Sequence, residues 1–284
     1  MKNIESHVVN LEDEKRRFIG RTKRLSSYKD RFAHDMSRKE CNLRTMARME
    51  LDAFCLAGYA GDVPKDVMIE HLHNAQFFAV KNHGRDMVPQ DAIFSFSYGE
   101  REFALAGTEG QFSVEPEDWL NSIALSIITG RFDDLIGLMA LEETWQLHFD
   151  SKQTQLSTDL FLHCLELKTS EDLSALLDGL LAEIEANRLR PDRIELALAG
   201  LTLTLGFFNV MLAAHTHDET GYREAMNKAI ELHKEWFTHD DDFNNRIIGY
   251  VSIPLLAAAK YAYVKYGFTV GVETPYLPTF VFMD

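Results

Sequence analysis

The sequence predicts a mainly α fold: a multi-helix bundle of packed helical hairpins, with one small β-hairpin inserted near residues 92–106. Three observations predict it. Apolar residues recur at three- and four-residue steps along most of the chain. A period of two is confined to one short stretch. The length of 284 residues and the 46% apolar content are enough to bury a real core. The expected organisation is a basic arm or short helix over residues 1–30, then a single helical domain over 31–284.

The elements follow in order. Lys15-Arg16-Arg17 and Lys23-Arg24 mark a solvated first segment. From residue 31 to 60, Phe32, Met36, Leu43, Met46, Met49, Phe54 and Ala57 read as one helix that Gly61 stops. Asp62 and Pro64 open the next, with Val67, Met68, Leu72, Ala75 and Phe78 on its face and Gly84 at its end. Phe94, Phe96 and Tyr98 alternate with Ser95 and Ser97. After Gly99-Glu100, Phe103 and Leu105 alternate again, which is a hairpin with a glycine-first turn.

Helices resume near 113–115. Trp119, Leu120, Ile123, Ile127 and Ile128 form a face, and Gly130 closes it. Leu135, Leu138 and Met139 belong to the next helix. The pattern continues over 141–149 and 158–167. Ser170 is placed to cap a helix over 171–188. Pro191 starts a long apolar helix, 222–237 is amphipathic, and 247–266 is the last long helix, with Pro254 near its start. After Gly267 the chain is extended.

Net charge is -15, which disfavours a phosphate-backbone partner. The charge is uneven: residues 1–48 carry +6 and residues 49–284 carry -21. A basic partner suits the main body, and the basic N-terminal segment is placed to fold over it as an internal counter-charge. Cys41, Cys55 and Cys164 make neither a disulfide framework nor a zinc motif, so a reduced cytoplasmic setting is expected. No secretory signal follows Met1-Lys2. Leu196 to Ala214 is free of charge, but it holds Thr202, Thr204 and Asn209 and lacks a basic anchor behind it. A central helix buried on all sides is the expectation, not a membrane span.

No phosphate loop, dinucleotide fingerprint or nucleophile elbow is present. His71/His73 and His215/His217 are two residues apart and so face different ways on a helix. An enzyme reading would draw on Glu70, His73, His215, His217, Asp218 and Glu219 as a His/carboxylate metal site. No cofactor is otherwise expected. The strongest surface feature is acidic: Glu115, Glu117, Asp118, Asp133, Asp134, Glu142 and Glu143 against Arg131, and a second cluster ending in Asp240, Asp241 and Asp242. Carboxylates in such numbers suit a docking face for a basic protein. Trp119, Trp145 and Trp236 lie in or beside these clusters, on apolar stripes that point them to the core.

The most distinctive text is C-terminal. Ile253-Pro254-Leu255-Leu256-Ala257-Ala258-Ala259 leads to Tyr266-Gly267-Phe268, and then to Glu273-Thr274-Pro275-Tyr276-Leu277-Pro278. This resembles the immunity protein 49 family of bacterial polymorphic toxin systems. Its members resemble this chain in length and helical class, and finish with an alanine-rich helix, a glycine turn and an acid-Ser/Thr-x-Tyr-Leu-Pro tail. Glu273, Thr274, Tyr276, Leu277 and Pro278 match that tail. The resemblance implies a protein of interbacterial competition that binds and neutralises a cognate toxin without catalysis; a basic nuclease suits the charge. It brings no catalytic residues. The tail itself reads as a clamp, with Tyr276 and Phe280 packing back on the helices.

Overall fold

A computed structural model describes residues 2–8, 10–34, 42–109, 116–146, 149–169, 172–240, 243 and 246–283, without the side chains of 2, 31–34 and 145–146. It is mainly α with a small inserted hairpin, as the sequence predicts. Contacts group the chain into two units: Met1–Val9 with Glu143–Asp284, and Asn10–Glu142.

In the unit Asn10–Glu142, strand β1 (Lys2–Asn3) having gone to the other, the first element is helix α1, Leu11–His34. Its basic side chains meet acids of the same unit: Lys15 with Asp62 at 3.3 Å, Arg21 with Asp52 at 2.9 Å, and Lys29 with the fully buried Glu50 at 2.5 Å. His71 Nδ1 lies 2.6 Å from the other Glu50 oxygen. The expected single helix over 31–60 is two. Helix α2 (Leu43–Ala57) starts afresh because the Asn42 side chain accepts from the Thr45 amide. The helix that Pro64 opens, α3 (Lys65–Asp86), runs past Gly84 rather than ending there. At Gly84 the missing side chain makes room for the Phe94 ring.

Strands β2 (Ile93–Tyr98) and β3 (Arg101–Ala106) pair antiparallel around Gly99, whose φ of 61° is left-handed. Phe96 and Phe103 stack in register and join Leu25, Leu43, Met46, Met49, Phe78 and Leu105 in one core. Helix α4 (Pro116–Ile128) buries Trp119 completely, and the indole N–H donates to the Leu138 carbonyl at 2.8 Å. Gly130 turns the chain with a φ of 71°. Helix α5 (Asp133–Met139) follows, and the short α6 (Glu142–Gln146) runs on into the second unit.

The helix expected over 141–149 is this short α6, and the one expected over 158–167 is α7, Lys152–Cys164, which Ser151 caps and which starts and ends earlier than expected. Helix α8 (Leu173–Arg188) is capped by Asp172, which accepts from the Ser174 and Ala175 amides. The Ser170 assigned that role lies outside the described residues. Pro191 precedes a continuous helix made of α9 (Ile194–Ala199), one π-helical turn (Gly200–Thr204) and α10 (Leu205–His215). Gln153 Nε2 donates to the Leu196 carbonyl at 2.6 Å, just before this turn. A Cβ on Gly200 would sit 2.6 Å from that same nitrogen.

Helix α11 (Glu219–Thr238) is capped by Asp218. Helix α12 (Ile253–Tyr266) starts later than expected, because residues 247–249 form a separate 3-10 turn. Gly267 ends it at a φ of 73°. The stretches Ile194–His215 and Ile247–Tyr266 are long and apolar enough to cross a bilayer by length and composition. The first is not buried on all sides, contrary to expectation. Its inner face packs Phe207, Val210, Met211 and Ala214, while its outer face meets solvent.

The tail closes this unit. Strand β4 (Val272–Glu273) pairs in parallel with β1. Tyr276 is fully buried, and its hydroxyl accepts from the His7 amide at 2.8 Å and lies 2.7 Å from His7 Nδ1. The Ser252 amide donates to the Tyr276 carbonyl at 2.9 Å, tying the tail to the start of α12. Tyr276→Phe is expected to cost about 1–2 kcal/mol, because it strips a buried amide of its acceptor. A lowered denaturation midpoint with unchanged helix content is the check.

Candidate partner-binding surfaces

The acidic residues singled out in the sequence are used in different ways. In the unit Asn10–Glu142, Glu117 is exposed on the first turn of α4. Its neighbour Asp118 is turned inward. Arg44 Nε is 2.8 Å from one carboxylate oxygen, and Arg48 spans both, with Nε at 3.0 Å and Nη2 at 3.1 Å. Asp118 therefore ties α2 to α4. Asp118→Ala is expected to destabilise by about 1–3 kcal/mol, measured by denaturant unfolding, because it removes the carboxylate that bridges Arg44 and Arg48 between α2 and α4.

Asp133 and Asp134 open α5 and help line a groove of about 150 Å³ with Val80, His83, Gly84, Met87, Gly137 and Leu138. Asp133 is exposed, whereas Asp134 accepts from Gln76 Nε2 at 2.8 Å. Beside them Met87, Phe132 and Ile136 present apolar surface, with Ile136 79% exposed. This combination of an apolar centre and a carboxylate rim was not read from the sequence. The signal was there in Phe132 and Ile136, which flank the acids yet fall off the apolar stripe of Leu135 and Leu138. Buried His83 Nε2 lies 3.1 Å from Ser122 Oγ, and burial pushes its pKa down to about 4. Glu142 is half-buried at the start of α6.

In the other unit Glu143 and Asp240 are exposed. Glu115, Asp241 and Asp242 lie outside the described residues, as does the side chain of Trp145. Trp236 packs with Phe237 and Phe243 in a small core cluster. The tail residues Thr274, Tyr276, Leu277 and Pro278 are buried, while Glu273 is exposed on β4.

The residues of the enzyme reading fall in both units. Glu70 and His73 belong to one unit; His215, His217, Asp218 and Glu219 belong to the other. Asp218 caps α11 through the Gly221 amide, and Glu219 pairs with Arg223 at 2.5 Å. His215 is held between the Cys164 carbonyl at 2.7 Å and the Tyr266 hydroxyl at 2.9 Å. Among the described residues, no group of three or more His, Cys, Asp or Glu is placed to hold a metal ion. The two described cysteines are buried, and burial raises both thiols, Cys164 to about 12.

No curated protein and no solved structure matches the chain. The family model for immunity protein 49 matches residues 65–281, from the first residue of α3 through the buried tail. That span takes in most of the sequence, and with it the Tyr276-Leu277-Pro278 clamp and the mainly helical fold: the chain belongs to the immunity protein 49 family.

Proposed function

We propose that this protein binds a cognate bacterial toxin by direct contact and neutralises it, without catalysis of its own. The observation that carries the reading is the family match over residues 65–281. Charge adds the kind of partner. A body of -21 over residues 49–284 suits a basic toxin, with a nuclease as the favoured class, since carboxylates can occupy the places of substrate phosphates. The contact acids are Glu117, Asp133, Glu143 and Asp240, which stand exposed, with Met87, Phe132 and Ile136 as apolar anchors beside Asp133. The inert, buried thiols suit the reducing cytoplasm as the place of action.

The test is co-expression with the toxin encoded beside this gene, followed by titration of the purified pair. Protection of the host and a one-to-one complex are expected. Asp133→Lys with Asp240→Lys is expected to slow association about 10- to 100-fold at low salt and to flatten its salt dependence. Absence of both protection and complex would sink the reading.

A further inference from the structure

The hairpin leaves two strand edges, and they differ. The Gly107 amide donates to Ala92 O at 2.9 Å, and the register then pairs Phe94 with Leu105, Phe96 with Phe103 and Tyr98 with Arg101. Bonded and non-bonded pairs alternate in an antiparallel ladder, so these three pairs bond across the hairpin. The backbone groups of Ile93, Ser95 and Ser97 therefore point away from β3, and those of Glu102, Ala104 and Ala106 point away from β2. Arg85 Nε, which donates to Ala106 O at 2.7 Å, agrees with that parity. The β3 edge is protected: it carries Arg101 and Glu102, and Arg85 takes its last outward carbonyl. The β2 edge has none of these devices. From Ile93 to Tyr98 it holds no charge and no proline, and no bulge breaks its register. Ile93, Ser95 and Ser97 are exposed, Ile93 by 65%. Among the described residues, no group bonds to the outward amides and carbonyls of these three.

We propose, resting on the toxin-binding reading above, that an extended segment of the toxin pairs with β2 as the third strand of this sheet. The chemistry of the edge selects the occupant's form. A row of amides alternating with carbonyls is complementary to another extended backbone, and a two-stranded sheet gains stability from a third strand. Position selects the toxin. Gly84 lines the groove beside Asp133, and its missing side chain makes room for the ring of Phe94, the second residue of β2. The open edge therefore begins where the proposed contact surface ends, within the one unit Asn10–Glu142. Charge selects against a second copy: a net charge of -15 opposes pairing of two such chains and draws a basic one. Phe94 and Tyr98, partly buried on the inner row, offer apolar contact to every second residue of the incoming strand. Ser95 and Ser97, on the outer row, are small and leave its other side chains room.

The experiment is residue-resolved hydrogen exchange on the full chain, alone and bound to the toxin encoded beside this gene. The Ile93, Ser95 and Ser97 amides are expected to exchange freely in the protein alone and at least about tenfold more slowly in the complex. The Phe94, Phe96 and Tyr98 amides, already bonded to β3, are expected to change little. Ser95→Pro removes an edge donor without touching the ladder to β3, and is expected to raise the dissociation constant more than about tenfold. Ala104→Pro places the same ring at the register partner of Ser95, on the opposite edge, and is expected to change it less than about twofold. Should Ser95→Pro fold poorly, Ser95→Lys is the second variant, with a similar loss expected from a charge set against a basic partner at the edge. A complex in which these amides stay unprotected, or which both prolines weaken equally, overturns the proposal and leaves the toxin-binding reading standing. Protection of the edge in the protein alone, with a mass of twice 32.5 kDa, also overturns it and assigns the edge to a second copy. Absence of any complex overturns both.

Discussion

Gly107→Ala is expected to be the most damaging single methyl in the described chain. A Cβ built on Gly107 would lie 2.1 Å from the Val88 carbonyl oxygen and 2.3 Å from that of Pro89. Both are backbone atoms, so no rotamer change relieves the overlap. The strap after β3 crosses the end of α3 here on a short ladder of hydrogen bonds. The Gly107 amide donates to Ala92 O at 2.9 Å, Thr108 to Arg85 O at 3.1 Å, and Glu109 to Val88 O at 3.0 Å. Arg85 Nε returns a bond to Ala106 O at 2.7 Å, and Thr108 Oγ1 donates to Asp86 Oδ1 at 2.6 Å. Moving the strap loosens all of them and unseats Phe103 and Leu105 from the core. The expected loss is about 3–5 kcal/mol, in the range reserved for core disruption. Gly137→Ala is the control. Its Cβ meets nothing within 4 Å, on the interior of α5, so a gain of about 0.5–1 kcal/mol is expected. Equal denaturation midpoints for the two alanine variants would refute this account of Gly107.

The contrast between these glycines shows what the sequence makes legible. Gly99, Gly130 and Gly267 were readable because each ends a local pattern, and all three adopt positive φ where a turn demands it. The β2–β3 hairpin was readable for the same reason: a period of two stands out among helices. Gly107 was not, since its constraint comes from a strand crossing Val88 and Pro89, nineteen and eighteen residues earlier in the chain. The break between α1 and α2 was missed because apolar spacing continued through it, while the deciding signal was one capping side chain, Asn42.

The site was legible in composition and illegible in exposure. Asp118 and Asp133 look alike in the sequence, yet one is spent on Arg44 and Arg48 and the other faces solvent beside Ile136. The uncharged stretch from Leu196 to Ala214 likewise reads as a core helix until its outward leucines are seen. Composition counts apolar residues; it does not count the helices available to cover them.

Acidification is expected to destabilise both units between about pH 6.5 and 4, through one buried histidine in each. His83 sits beneath Ser122 and His233 donates its Nε2 proton to the Gly249 carbonyl at 3.0 Å, and burial pushes both pKa values down to about 4. The surroundings differ. His83 is near Asp118, which pulls its pKa upward, whereas His233 is near His7, which lowers it further. The sign follows from proton uptake. In the unfolded chain each imidazole titrates near about 6.5, so below that pH the unfolded state binds more protons than the folded one. Stability is full above about pH 6.5, falls as the pH drops toward 4, and flattens below it. At pH 5 the loss is about 2 kcal/mol for each histidine, relative to pH 7.5. His83→Gln is expected to remove the step from the unit Asn10–Glu142, and His233→Gln from the other, as read by denaturant midpoints at pH 7.5 and 5. Each glutamine costs stability at pH 7.5 through lost packing, so the diagnostic quantity is the difference between the two pH values. A wild-type protein equally stable at both would show that neither imidazole is held neutral by burial. For a protein proposed to work by holding its toxin, the same step predicts release on acidification, because the groove beside His83 is built from α3 and α5 and opens as that unit unfolds.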